Sequence, residues 1–160
     1  MPTLYLLRHA KSSWDDPGLA DHDRPLAVRG LRNAATLSEH LRAARILPEL
    51  VLCSTARRAR ETLAAVLPEF DGETEILVER GLYGSSAEEL LARLRAVPEA
   101  VRSAMVVAHN PGLEELASRL AGDAAPERLP TAALVELSSG GTWATLGDSP
   151  CRVLSSTVPR

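Results

Sequence analysis

Short apolar runs alternate with longer stretches of helical periodicity along nearly the whole chain, and three of the runs end on chemically reactive side chains. Pro2 to Leu7 ends at Arg8-His9. Leu50 to Cys53 ends at Ser54, with Arg57, Arg58 and Arg60 following. Ala104 to Ala108 ends at His109-Asn110, where Pro111-Gly112 breaks the run. Apolar runs this short read as buried strands. Between them, Ala27 to Ile46 places Leu31, Ala34, Ala35, Leu37, Leu41 and Ala44 at helical spacing, and Ala87 to Ala96 and Leu113 to Leu120 read as further helices. Ser54 is the expected N-cap of a helix running through Thr62. Ile76 to Val78 is a third expected strand, followed by a loop at Leu82 to Ser85. Ala133 to Leu137 and Thr142 to Leu146, joined through Gly140-Gly141, read as a hairpin. Lys11 to Pro25, with Trp14, Pro17, Gly18 and several aspartates, is expected to be a loop.

Strands alternating with helices imply an α/β fold: a three-layer sandwich with a mostly parallel sheet and helices on both faces. The 160 residues fit one domain, 1–160, with no internal repeat, low-complexity tract or linker. Aromatics make up only 3% of the chain, so Leu, Val, Ile and Ala must build the core. The formal charge of -3 gives no bulk attraction to nucleic acid or to an anionic membrane, so neither is an expected partner. Any anion site must therefore be a local cluster of cations. Cys53 and Cys151 form no CxxC pair and no disulfide pattern, which fits reduced thiols in a cytoplasmic protein. No apolar run approaches the roughly 18 residues that span a bilayer. The N-terminus reads as a strand rather than a signal peptide.

In a parallel α/β sheet the carboxyl ends of the strands share one edge, and ligands bind there. Arg8, His9, Arg58 and His109 are therefore expected to converge despite their separation in sequence. Arginine grips phosphate oxygens with a planar fork. A neutral imidazole is a competent nucleophile, and a second histidine can donate to developing charge. No cluster of carboxylates or cysteines accompanies them, and GxxxxGK[ST], HExxH and GxSxG are missing, so neither a metal nor a cofactor is expected. His22 and His40 have no such placement and read as solvent-facing.

Leu6-Leu7-Arg8-His9-Ala10-Lys11-Ser12 resembles the leading motif of the histidine phosphatase superfamily, the phosphoglycerate mutase-like fold. The Ala-Lys-Ser continuation is similar to its short branch, the SixA-type phosphohistidine phosphatases. Asp23-Arg24-Pro25-Leu26 with Arg29-Gly30, Ser54 through Thr62, Leu82-Tyr83, Val106 through Gly112, Pro130-Thr131-Ala132-Ala133 and Trp143 fit the same branch. Counted from Ser54, the arginine matching the family motif is Arg58 rather than Arg57.

The resemblance implies that His9 accepts a phosphoryl group and that Arg8, Arg58 and His109 hold it, with Asn110 and Ser12 as further substrate contacts. The proton-donating Glu of the larger branches has no clear match; Glu79, Asp15 and Asp16 are the candidates by position. An alkoxide leaving group needs a placed acid, whereas the imidazole of a phosphohistidine leaves readily. The expected substrate is accordingly protein phosphohistidine. Phosphatase action on small phosphate esters and a non-catalytic phosphate-binding module are the alternatives.

Overall fold

The computed structural model describes residues 1–159. Six strands form one sheet in the order β3-β2-β4-β1-β5-β6. They are β1 (Thr3–Arg8), β2 (Leu50–Ser54), β3 (Glu75–Glu79), β4 (Ser103–Ala108), β5 (Leu134–Ser138) and β6 (Arg152–Thr157). The first four are mutually parallel, whereas β5 runs antiparallel to β1 and β6 antiparallel to β5. Four helices connect them: α1 (Val28–Ala43), α2 (Arg57–Val66), α3 (Ala87–Arg95) and α4 (Gly112–Ala121).

The central strands β1, β2 and β4 read as apolar runs because both faces of the sheet are covered there. Alternate residues of each strand enter different cores. Leu4 and Leu6 of β1, Leu50 and Leu52 of β2 and Val106 of β4 pack with Leu90, Leu91 and Leu94 of α3 and Leu113, Leu116 and Leu120 of α4. Tyr5, Leu7, Val51, Cys53 and Val107 face the other way, onto Leu37 and Leu41 of α1 and Leu63 and Val66 of α2. The sandwich therefore has three layers. No helix among the described residues is long and apolar enough to cross a membrane.

Two local expectations fail. Thr142 to Leu146 is not a strand, and β5 pairs instead with β6, beyond a long loop. Trp143 and Leu146 are both buried, a spacing of three that suits a turn rather than a strand, and the Leu146 N–H donates to the Trp143 carbonyl. The Trp143 indole N–H donates to the Val101 carbonyl at 2.7 Å. Ser54 does not cap α2 either, since that helix starts at Arg57 after Ala56, without a side-chain cap. Ser54 closes β2 instead, and its hydroxyl accepts the Ala56 N–H.

Candidate functional site

β2, β4 and β1 are adjacent and parallel, so their carboxyl ends lie side by side. Arg8 pairs in register with Ala108, which puts the residues just beyond, His9 and His109, at neighbouring exits of the sheet. Their ring centroids are 5.0 Å apart. A cavity of about 260 Å³ opens there, lined by Arg8, His9, Lys11, Ser12, Trp14, Arg24, Arg58, His109, Asn110 and Thr131. Four lining groups are permanent cations and none is a carboxylate. A chain of net charge -3 thus gathers positive charge where an anion would sit.

His9 is nearly buried, at 6% exposure. Its Nδ1 lies 2.7 Å from the Ala10 carbonyl oxygen, which can only accept, so Nδ1 carries the proton and Nε2 keeps the lone pair. The Ala10 N–H donates to the Thr62 hydroxyl, which in turn donates to the Arg58 carbonyl. One side chain of α2 therefore ties the His9 loop to the turn that carries Arg58. Burial is the main cause that lowers the His9 pKa to about 4, with the charges of Arg58, Arg8 and Arg24 acting in the same direction. For His109 burial comes first and a charge on His9 second, giving a pKa of about 3. Both rings are neutral at neutral pH.

His109 Nε2 lies 2.8 Å from the Ser54 hydroxyl oxygen. Among the described residues, its Nδ1 and the Nε of Arg8 are buried without a hydrogen-bond partner. Unsatisfied buried polar atoms are costly and uncommon in folded proteins. Here two belong to side chains that line one cavity.

Arg58 is 7% exposed, whereas its neighbour Arg57 turns to solvent and pairs with Glu61. Arg58 donates to the Asp21 carbonyl at 2.7 Å and to the Asp21 carboxylate at 2.9 Å. That carboxylate also accepts from the Tyr83 hydroxyl and from Arg24. The Tyr83 hydrogen bond is the leading cause that holds the Asp21 carboxyl far below the usual range. Arg24 donates further to the Ser12 hydroxyl and the Ser13 carbonyl. Asp21 thereby fixes two arginines, each with N–H groups left over for a ligand.

Asn110 lines the cavity, but its amide hydrogens go to the Leu129 carbonyl and to Glu114. Ser12 lines it too, as the acceptor for Arg24. The three candidate acids lie outside the lining. Glu79 accepts two N–H donors of Arg93 in a bidentate pair, at 2.7 and 2.9 Å. Asp15 and Asp16 are exposed, and Asp16 accepts the Gly18 N–H. His22 and His40 are half-buried rather than free in solvent. The His22 ring packs edge-on against Tyr83 and bonds to the Thr55 hydroxyl, and His40 meets the Thr157 hydroxyl. Among the described residues, no group of three or more His, Cys, Asp or Glu is placed to hold a metal ion.

Sequence reasoning did not single out Arg24, Lys11, Trp14, Thr131, Asp21 or Thr62 as site residues. For Lys11, Trp14, Asp21 and Arg24 the signal lay in the polar loop after β1. Its cations and hydroxyls follow His9 directly, and Ser12 forms an antiparallel bridge with Leu26 that folds the loop back over the cavity.

Residues 4–83 match the model of the histidine phosphatase superfamily, branch 1, and the chain belongs to that superfamily. An uncharacterized protein of Mycobacterium tuberculosis is 39% identical over 163 residues, covering 96% of this chain and all of that protein. A candidate phosphohistidine phosphatase SixA from Agrobacterium tumefaciens superposes with a TM-score of 0.87 at 31% identity, over 99% of both chains. Another, from Nakamurella multipartitia, gives 0.85 at 30% identity, over 99% of this chain and 96% of that one.

Proposed function

We propose that this protein is a metal-independent phosphohydrolase that moves the phosphoryl group of protein phosphohistidine onto His9 Nε2 and then to water. The carrying observation is the His9 ring itself: neutral, with Nδ1 donated to the Ala10 carbonyl and a free Nε2, in a cavity lined by four cations and no carboxylate. Likeness to candidate SixA phosphohistidine phosphatases supports the same reading.

His9 Nε2 forms an N–P bond as the P–N bond of the substrate breaks. The substrate imidazole, protonated on its other nitrogen, keeps the electron pair and leaves neutral. Phosphorylated His9 is then cationic, and its Nδ1–H stays on the Ala10 carbonyl. A water oxygen bonds to phosphorus, the pair returns to Nε2, and the water's protons pass to phosphate and solvent. Arg8, Arg58 and His109 hold the equatorial oxygens, and the Ser54 hydroxyl, donating to His109 Nε2, keeps the proton on Nδ1 for one of them. Asn110 holds the Leu129 segment in place. Phosphoryl transfer asks for little beyond such positioning and charge. With no carboxylic acid lining the cavity, a leaving group that needs no protonation is favoured over an alkoxide.

The test is acid quenching with a labelled phosphohistidine protein in the presence of EDTA, followed by hydrolysis assays against sugar phosphates. Label should appear on His9 and be lost in His9→Ala. Arg58→Ala should lower kcat/KM by roughly 100- to 1,000-fold, as for loss of a charge-stabilising donor. Activity that disappears with EDTA, or a preference for sugar phosphates, would overturn the metal-free phosphohistidine reading.

A further inference from the structure

Trp14 stands at the mouth of the cavity, 73% exposed, in a chain with only five aromatic side chains of the Phe, Trp and Tyr type. A single exposed apolar residue is ordinary. The way this one is held is not. The Arg24 guanidinium lies 3.2 Å from the Trp14 ring centroid, over its face. Arg24 is 6% exposed and pinned by Ser12, Ser13 and Asp21. One face of the indole is thus covered by an immobilised cation, and a ring this exposed leaves its other face open.

In-line attack puts the leaving group on the side of phosphorus opposite the nucleophile. His9 is buried at the floor, so the leaving group must point toward the mouth, where Trp14 stands. From this we propose that Trp14 is a specificity-determining platform on which a planar leaving group stacks, selecting phosphoimidazole-type substrates over phosphoryl donors without a ring. The inference rests on the phosphohydrolase reading and adds the selection of the leaving group. A phosphorylated imidazole is flat, and when protonated it is also cationic, so both stacking and cation–π attraction favour it on an open indole face. Stacking of that size corresponds to about a tenfold preference.

The molecule carries its own reporter. Of its two tryptophans, Trp14 is exposed and Trp143 is 1% exposed. Phosphoimidazole, acetyl phosphate and inorganic phosphate are titrated into His9→Gln, which cannot turn over, with tryptophan emission as readout. Steady-state kinetics on Trp14→Ala and Trp14→Phe, with the first two compounds as substrates, complete the experiment. The expected result is an emission change with phosphoimidazole that the other two do not produce. The kcat/KM ratio of phosphoimidazole to acetyl phosphate should fall about tenfold in Trp14→Ala and recover in Trp14→Phe. Equal losses on both substrates, or the same emission response to all three ligands, would overturn the platform while leaving the phosphohydrolase standing. If none of the compounds binds or is hydrolysed, the phosphohydrolase reading falls and takes the platform with it.

Discussion

Buried imidazoles that must stay neutral make the fold sensitive to acid at identifiable residues. His9 gains a proton near pH 4 in the folded chain against 6.5 for the free side chain, chiefly because burial penalises the charged ring. The unfolded chain therefore binds more protons between those values, and stability rises with pH across that window. The full contribution is present above about pH 6.5 and is lost as pH falls toward 4, by on the order of 3 kcal/mol for His9. His109 adds to it in the same direction, chiefly because it too is buried. Urea unfolding midpoints measured from pH 7 to pH 4 should drop more steeply in the wild type than in His9→Gln; parallel slopes would show that His9 burial contributes nothing. At this scale Arg8, His9 and His109 were legible as residues brought to one cavity, because each stands at the end of a short apolar run. The residues that hold them were not. Asp21 and Arg24 sit in a polar loop with no periodicity, and nothing local distinguishes a buried arginine from a solvated one. Glu79 was attractive by position alone, and its ion pair with Arg93 of α3 becomes visible only once the chain is folded.

Elements were legible wherever burial is two-sided or periodic, and failed where a turn imitates a strand. The runs of β1, β2 and β4 are apolar throughout because both faces are covered, and α1 shows its stripe through Ala34, Leu37 and Leu41. The edge strand β6 alternates exposed and half-buried residues without a strong apolar set, so Trp143 and Leu146 drew the pairing to the wrong segment. Close approaches between elements are also hidden from periodicity. Gly30 lies inside α1, where glycine costs helix stability relative to alanine. A Cβ there would fall well inside van der Waals contact of the Lys11 carbonyl. The glycine lets α1 press against the loop that carries Lys11 and Ser12 into the cavity. Gly30→Ala should therefore destabilise the protein, by roughly 1–3 kcal/mol as for overpacking, despite the better helix propensity. It should also weaken phosphate binding by displacing Lys11. Thermal unfolding and phosphate titration check both, and a stabilised variant with normal binding would show that the loop yields freely.

At the scale of the whole molecule, the cavity is where separate elements meet. β1 supplies Arg8 and leads into His9, β2 ends at Ser54, β4 leads into His109, α2 carries Arg58, and the turn after Leu129 brings Thr131. That turn is tied to β1 by the Ala132 N–H, which donates to the carbonyls of Arg8 and His9, with Ala132 held at φ 64. The cations gathered there repel one another when the cavity is empty, and Arg8 Nε and His109 Nδ1 lack partners. An anion relieves both conditions in the folded chain and neither in the unfolded one, where these residues are far apart in sequence. Binding should therefore stabilise the entire fold by mass action. At a phosphate concentration 100 times Kd the gain is about 2.7 kcal/mol. For a chain of this size each kcal/mol raises Tm by about 2–4 °C, so the expected shift is roughly 5–11 °C. Chloride at the same ionic strength should produce far less, because general screening does not satisfy directed donors. Arg58→Ala and His109→Ala should lose the shift. Arg57→Ala should keep it, since Arg57 pairs at the surface with Glu61. Calorimetric scans of the four proteins in phosphate and chloride decide the matter: an equal response to both salts would mean that the cluster of cations is not organised around an anion.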